Sequence, residues 1–262
     1  MEERKQKEIE YYDRSAERIL KESSRKKWEG DFEGFNPLLL ESFQYCYTWL
    51  SKNSKNKVIL DFGCGNGIHS VLPAKSGAKK VIGIDLSEES LKLARERIKR
   101  EKLEDNVEFL SMDCEKLNFP NNSFDIIFDG GTFSSLDLKK TFPELARVLK
   151  SDGYFLGIET FGHNFFTNLK RKINKLIGKR TQWAEEHILK MNDLKFAKNY
   201  FNKIEIQYFH LISWMAFPFL KLPGGKYLLK FLETIDKVLL KASFFKKYSF
   251  KVVFILSDPK KQ

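Results

Sequence analysis

Cysteine is scarce: Cys46, Cys64 and Cys114 are the only three among 262 residues, and no two of them form a CxxC pair. So odd and dispersed a set argues against a disulfide framework, offers no zinc spacing and fits a reducing compartment; no metal site is expected. No run of about 18 apolar residues occurs, which excludes a bilayer-spanning helix. The start, Met1-Glu2-Glu3-Arg4-Lys5, has no apolar stretch of the secretory kind, so a cytoplasmic protein is expected. Acidic residues are scarce in one part only. Residues 161–262 carry 20 Lys and Arg against 7 Asp and Glu, whereas residues 1–160 carry 26 against 28. The net charge of +11 therefore belongs to the C-terminal part, and such segregation points to an anionic partner.

What is present is a regular alternation. Short apolar runs at 57–62, 80–85, 107–110, 124–128 and 154–158 read as buried parallel strands, with helical patterns between them. Ser87-Glu88-Glu89-Ser90 opens one such helix with a capping signal, ahead of Leu91, Leu93, Ala94 and Ile98. Alternating β and α with short connections implies a doubly wound α/β sheet with helices on both faces. Residues 1–50 read as a helical cap, with 9–20 its clearest helix. The core spans 51–160, a basic segment 161–190 follows, and 191–262 returns to the sheet. That last part holds a helix near 192–201 and strands at 204–209 and 250–256, separated by an aromatic, basic insertion at about 211–247.

The chemistry concentrates in Asp61-Phe62-Gly63-Cys64-Gly65-Asn66-Gly67, between an expected strand and an expected helix. A dinucleotide loop reads GxGxxG, whereas this one reads GxGxG and is preceded by a carboxylate. That carboxylate would repel a pyrophosphate but suits a ligand bearing an ammonium group. Asp85 ends the next strand, where a carboxylate can accept from both hydroxyls of a ribose.

Val58 through Gly67 resembles the first motif of class I S-adenosylmethionine (SAM)-dependent methyltransferases, of the small-molecule type. Met112-Asp113-Cys114, Phe124 through Asp129, and Glu144-Leu145-Ala146-Arg147-Val148-Leu149-Lys150 with Gly153 are similar to that family's later elements, in the same order. The resemblance covers residues 55–160. It implies a seven-stranded, mostly parallel sheet with its last strand antiparallel, and SAM as cofactor. It also implies SAM contacts from Asp61, Gly63, Gly65, Gly67, Asp85, Leu86, Asp113, Cys114 and Asp129, with Tyr12 closing the site from the N-terminal helix and His69 beside the methionine end. Asp129-Gly130-Gly131-Thr132-Phe133 stands where methyltransferases of base or amide nitrogens carry Asn/Asp-Pro-Pro-Tyr/Phe, so that class is disfavoured.

Glu159 through Asn164, with the later Arg180 through His187, resembles small-molecule methyltransferases in which Gly-His-Asn and Glu-His flank a lid. His163 and His187 are therefore the candidate general bases, histidine being the ordinary base near neutral pH; a hydrogen-bonded structural role is the alternative for each. Phe165, Phe166, Leu169, Ile173, Leu176 and Ile177 alternate with lysines at near-helical spacing, and Trp214 through Leu232 is again aromatic and basic. These segments read either as a substrate lid with solvated lysines or as contacts to an anionic membrane surface. Nucleic acid is disfavoured, because the cations sit among aliphatic stripes. The expected activity is methyl transfer to oxygen or nitrogen of a small molecule, with a lipid or glycan portion in view. An RNA or protein methyltransferase and a non-catalytic scaffold are the competing readings.

Overall fold

The computed structural model describes residues 2–23, 37–164, 168–169 and 181–261; of the expected amphipathic run at 165–177, only residues 168 and 169 lie among them. Helix α1 (Glu3–Ser23) and α2 (Glu41–Asn53) precede strand β1 (Val58–Phe62). Then follow α3 (Ile68–Lys75), β2 (Lys80–Asp85), α4 (Glu88–Glu101), β3 (Val107–Ser111) and β4 (Phe124–Asp129). Helix α5 (Leu138–Val148) leads to β5 (Leu149–Thr160). Short helices α6 (Gln182–Glu186) and α7 (Met191–Ala197) precede β6 (Phe201–Phe209). A 3-10 turn (Ser213–Phe219), α8 (Gly225–Leu239) and α9 (Ser243–Lys246) fill the insertion before β7 (Lys251–Pro259).

The seven strands lie in the order β3-β2-β1-β4-β5-β7-β6. The first five are parallel, and β7 runs antiparallel to both β5 and β6. Successive strands step outward in opposite directions from β1 and β4, so their C-terminal ends form the crevice where open α/β sheets bind ligands.

Strand residues alternate between two apolar layers. Leu60, Phe62, Phe155 and Phe254 face α5 and α7, whereas Ile59, Phe128, Leu156 and Val253 face α2, α3 and α4. Abundant phenylalanine finds its use here: Phe133, Phe142, Phe155 and Phe254 interlock with centroid separations of 5.5–5.7 Å. Each such ring contributes roughly 1.5–3 kcal/mol by leaving water. The cap at Ser87 forms as expected: its hydroxyl accepts the N–H of Ser90 at 3.0 Å and starts α4. The expected helix at 192–201 is shorter, because Phe201 opens β6, which starts three residues earlier than the apolar pattern marks.

Candidate active site

A cavity of about 280 Å³ opens at the C-terminal ends of β1, β2 and β4. The loop after β1 forms its floor. Gly63 lies at φ 67°, and a Cβ there would sit 2.2 Å from Thr132 Oγ1, so packing as well as backbone conformation demands glycine. Gly65, at φ 51°, differs: nothing lies within 4 Å of its would-be Cβ, and its open face belongs to the cavity. Asp85 braces this loop. Its Oδ2 accepts the Gly65 N–H at 2.9 Å and its Oδ1 accepts the Ser87 N–H at 2.9 Å; burial raises its pKa above the usual carboxylate value. Leu86, Asp113 and Cys114 continue the wall.

Helix α1 roofs the cavity with Lys5, Glu8, Ile9 and Tyr12, the i, i+3, i+4, i+7 stripe of one helix face. Lys5 Nζ is 2.5 Å from Asp113 Oδ2, and Arg4 Nη2 is 2.5 Å from Glu115 Oε2. Burial works against the Glu115 charge, but hydrogen bonds from Arg4 and Lys5 prevail and hold its pKa below the ordinary value. Glu8 accepts from Ser135 Oγ at 3.0 Å and from Thr181 Oγ1, which joins the roof to the segment preceding α6. Tyr12 Oη is 3.5 Å from Ser135 Oγ. Asp13 accepts from Ser87 Oγ at 2.6 Å, while Ala16 and Ile19 pack on Leu93 of α4.

Asp61, Gly67 and Asp129 lie behind this wall. Asp61 Oδ2 accepts from Ser70 Oγ at 2.5 Å, and its buried Oδ1 has no partner among the described residues. Burial lifts the Asp61 pKa to about 7. Gly67 caps α3, and a Cβ would meet Ala94 and Phe109 at 2.9 Å. Asp129 shapes the turn after β4 by accepting the N–H groups of Gly131 and Thr132 at 3.3 and 2.9 Å. Beside it, Glu159 Oε1 accepts the Phe133 N–H at 2.6 Å. Burial and the Asp129 charge raise the Glu159 pKa well above its ordinary value.

Neither candidate base reaches the cavity wall. His163 Nε2 accepts the Met191 N–H at 3.1 Å, and the ring sits edge-on against Phe161. His187 is exposed and stacks on Trp183 at a centroid separation of 3.6 Å, its Nδ1 2.9 Å from the Trp183 carbonyl. Both rings are spent on local structure. His69 does line the cavity: its Nδ1 is 2.7 Å from Tyr47 Oη, it stacks on Phe43, and a Cβ on Gly130 would lie 2.7 Å from its Nε2. Burial pulls its pKa down to about 3, so the ring is neutral at physiological pH and serves as a hydrogen-bonding group. Sequence reasoning missed Lys5 and Glu8, although their spacing with Tyr12 on one helix face was readable.

The arrangement suits an elongated ligand: a glycine loop open at Gly65, a carboxylate at Asp85 and a roof that pins down across Asp113. Residues 60–157 match the family model described as Methyltransferase domain. The demethylmenaquinone methyltransferase of Bacteroides fragilis is 34% identical over 113 residues, which are 42% of this chain and 46% of that protein. That of Lactococcus lactis is 28% identical over 195 residues, covering 66% of this chain and 76% of the relative. The chain thus spans about half the length of its Bacteroides relative. Among solved structures, geranyl diphosphate C-methyltransferase from Streptomyces coelicolor A3(2), in complex with Mg2+, geranyl diphosphate and S-adenosyl-L-homocysteine, aligns with a TM-score of 0.60 at 17% identity. The alignment covers 83% of this chain and 79% of that one and speaks to the fold.

Proposed function

From a chain whose residues 60–157 match the Methyltransferase domain, we propose a SAM-dependent methyltransferase of class I acting on oxygen or nitrogen of a small-molecule acceptor. The observation that carries this reading is Asp85 braced on Gly65 inside the roofed cavity, with both groups open to a ligand. The donor set fits SAM. Asp85 would take the ribose hydroxyls, Leu86 and Cys114 would flank the adenine, and the Oδ1 of Asp61 leaves a hydrogen-bond acceptor behind the loop on the side of a cationic amino acid end.

When bound, the cofactor supplies a methyl group already activated by its sulfonium centre. The protein's part is alignment, dehydration and, for a hydroxyl or ammonium acceptor, removal of a proton. Helix α1 excludes water from above. His69, fixed by Tyr47, offers a neutral hydrogen-bonding edge beside Gly130. Glu8 is the cavity-wall carboxylate placed to take a proton, with Ser135 and Thr181 holding it in position.

Titration calorimetry with SAM and S-adenosylhomocysteine, on wild type and Asp85→Ala, tests the reading. Wild type is expected to bind both, and Asp85→Ala to lose about tenfold or more in affinity. A folded wild type that binds neither overturns the cofactor site and leaves the scaffold reading.

A further inference from the structure

Helix α8 buries Leu229 in the core as an ordinary surface helix does, but two further features depart from that pattern. Its two acids point inward: Glu233 and Asp236 are each 3% exposed. Asp236 accepts the N–H groups of Ile212 and Ser213 at 2.9 and 3.1 Å, and Glu233 Oε1 accepts the Glu41 N–H at 3.1 Å. These bonds tie α8 to the 3-10 turn and to the start of α2. Three of its large apolar side chains point outward: Tyr227 is 82% exposed, Phe231 64% and Val238 63%. Spaced i, i+4 and i+11, they share one helix face. Phe219, Leu222 and Phe244 add further exposed apolar area just outside the helix.

The charges around this face are predominantly positive, although Lys237 pairs with Glu41 at 2.8 Å and Lys230 with Glu233 at 2.7 Å. Residues 211–250 contain no acids except the buried pair, whereas Lys221, Lys226, Lys230, Lys237 and Lys241 are exposed. Contiguous exposed apolar area marks an interaction surface. A cationic surround repels a second copy of itself and attracts an anionic partner, and aliphatic side chains have no use on a nucleic acid. Apolar area to bury, with lysines to meet anionic headgroups, is the chemistry of a helix lying in a bilayer interface.

The insertion that carries this face also leaves the sheet on the cavity's side. Lys251 of β7 pairs with both Thr160 of β5 and Phe209 of β6, so the insertion leaves the sheet at the edge where the parallel strands end. That is the edge on which the cavity opens.

We propose that the outward face of α8, with Tyr227, Phe231 and Val238 at its centre, docks on the surface of an anionic lipid bilayer. This docking is independent of methyl transfer and can be tested without cofactor. The full chain is incubated with vesicles of phosphatidylcholine alone or mixed with phosphatidylglycerol, and the captured protein is measured by sedimentation. Capture by the anionic vesicles is expected, weakening with salt and falling about tenfold or more in Phe231→Asp and in Tyr227→Ser. Lys99→Glu, at an exposed position of α4, controls for net charge and should retain capture. Thermal melting confirms that the variants fold, and ultracentrifugation reports self-association. The proposal is overturned by absent capture of the wild type, by equal capture on both vesicles, or by full capture of folded Phe231→Asp. A dimer that Phe231→Asp disperses, without lipid capture, overturns it in favour of a second copy.

Discussion

The Lys5 ammonium sits 2.5 Å from Asp113 Oδ2 and 2.8 Å from Glu115 Oε2, so one side chain near the start of the chain fastens α1 across the cavity. Both Asp113 oxygens are engaged, since Oδ1 accepts the Glu115 N–H at 2.9 Å. The carboxylate expected to meet an adenine amine is thereby also the anchor of the roof.

Lys5→Ala should loosen the roof without unfolding the sheet. Partly buried ion pairs of this kind contribute about 1 kcal/mol, so SAM affinity is expected to fall roughly fivefold. Hydrogen exchange across α1 should quicken while the melting temperature moves little. Unchanged exchange would show that the other ties of α1, Arg4 to Glu115 and Glu8 to Ser135 among them, hold the helix without Lys5.

The two loop glycines should fail in different ways. Gly63→Ala places a methyl group 2.2 Å from Thr132 Oγ1 at φ 67°, and should cost about 3 kcal/mol or more in urea unfolding. Gly65→Ala meets no atom and should cost about 1 kcal/mol, yet its methyl group projects into the cavity and should abolish most SAM binding. Equal stability losses in the two variants would contradict this division.

Asp61 makes stability depend on pH. Its folded pKa is raised from 3.8 to about 7 by burial, so between those values the folded state holds a proton that the unfolded state has released. Stability contributed by this group is therefore full below about pH 4, declines as pH rises through 7 and is flat beyond. Asp61→Asn removes that slope, so its advantage over wild type should grow from pH 4 to pH 7 in denaturant titrations. A constant difference across that range would show an ordinary carboxylate.

The candidate bases can be separated by substitution. His163→Asn and His187→Ala should leave kcat within about threefold, since neither ring lines the cavity, whereas Glu8→Gln should lower kcat by about a hundredfold for a hydroxyl acceptor. A pH–rate profile distinguishes proton removal by Glu8 from simple positioning of the roof, because only the former loses its acid limb in Glu8→Gln.

Much of the fold was readable because buried parallel strands are continuous apolar runs closed by glycine or a carboxylate, as at 58–62 and 80–85. The placement of the loop and Asp85 at the cavity was readable for a related reason: it depends on local backbone and on strand ends. The roof was not, since Lys5 and Asp113 meet only after the chain has folded. Histidine spacing likewise says nothing of which atom a ring nitrogen will bond. His163 and His187 found backbone partners, while His69 found Tyr47 and the cavity. At α8 the apolar and basic residues were plain, but the inward turn of Glu233 and Asp236 needs the N–H groups of Ile212, Ser213 and Glu41, which no linear pattern reveals.

Because the insertion leaves the sheet at the edge where the cavity opens, an acceptor dissolved in a bilayer would be sampled in two dimensions. Turnover would then follow the acceptor's mole fraction in the membrane, and adding inert lipid at constant bulk acceptor would slow the enzyme by surface dilution alone.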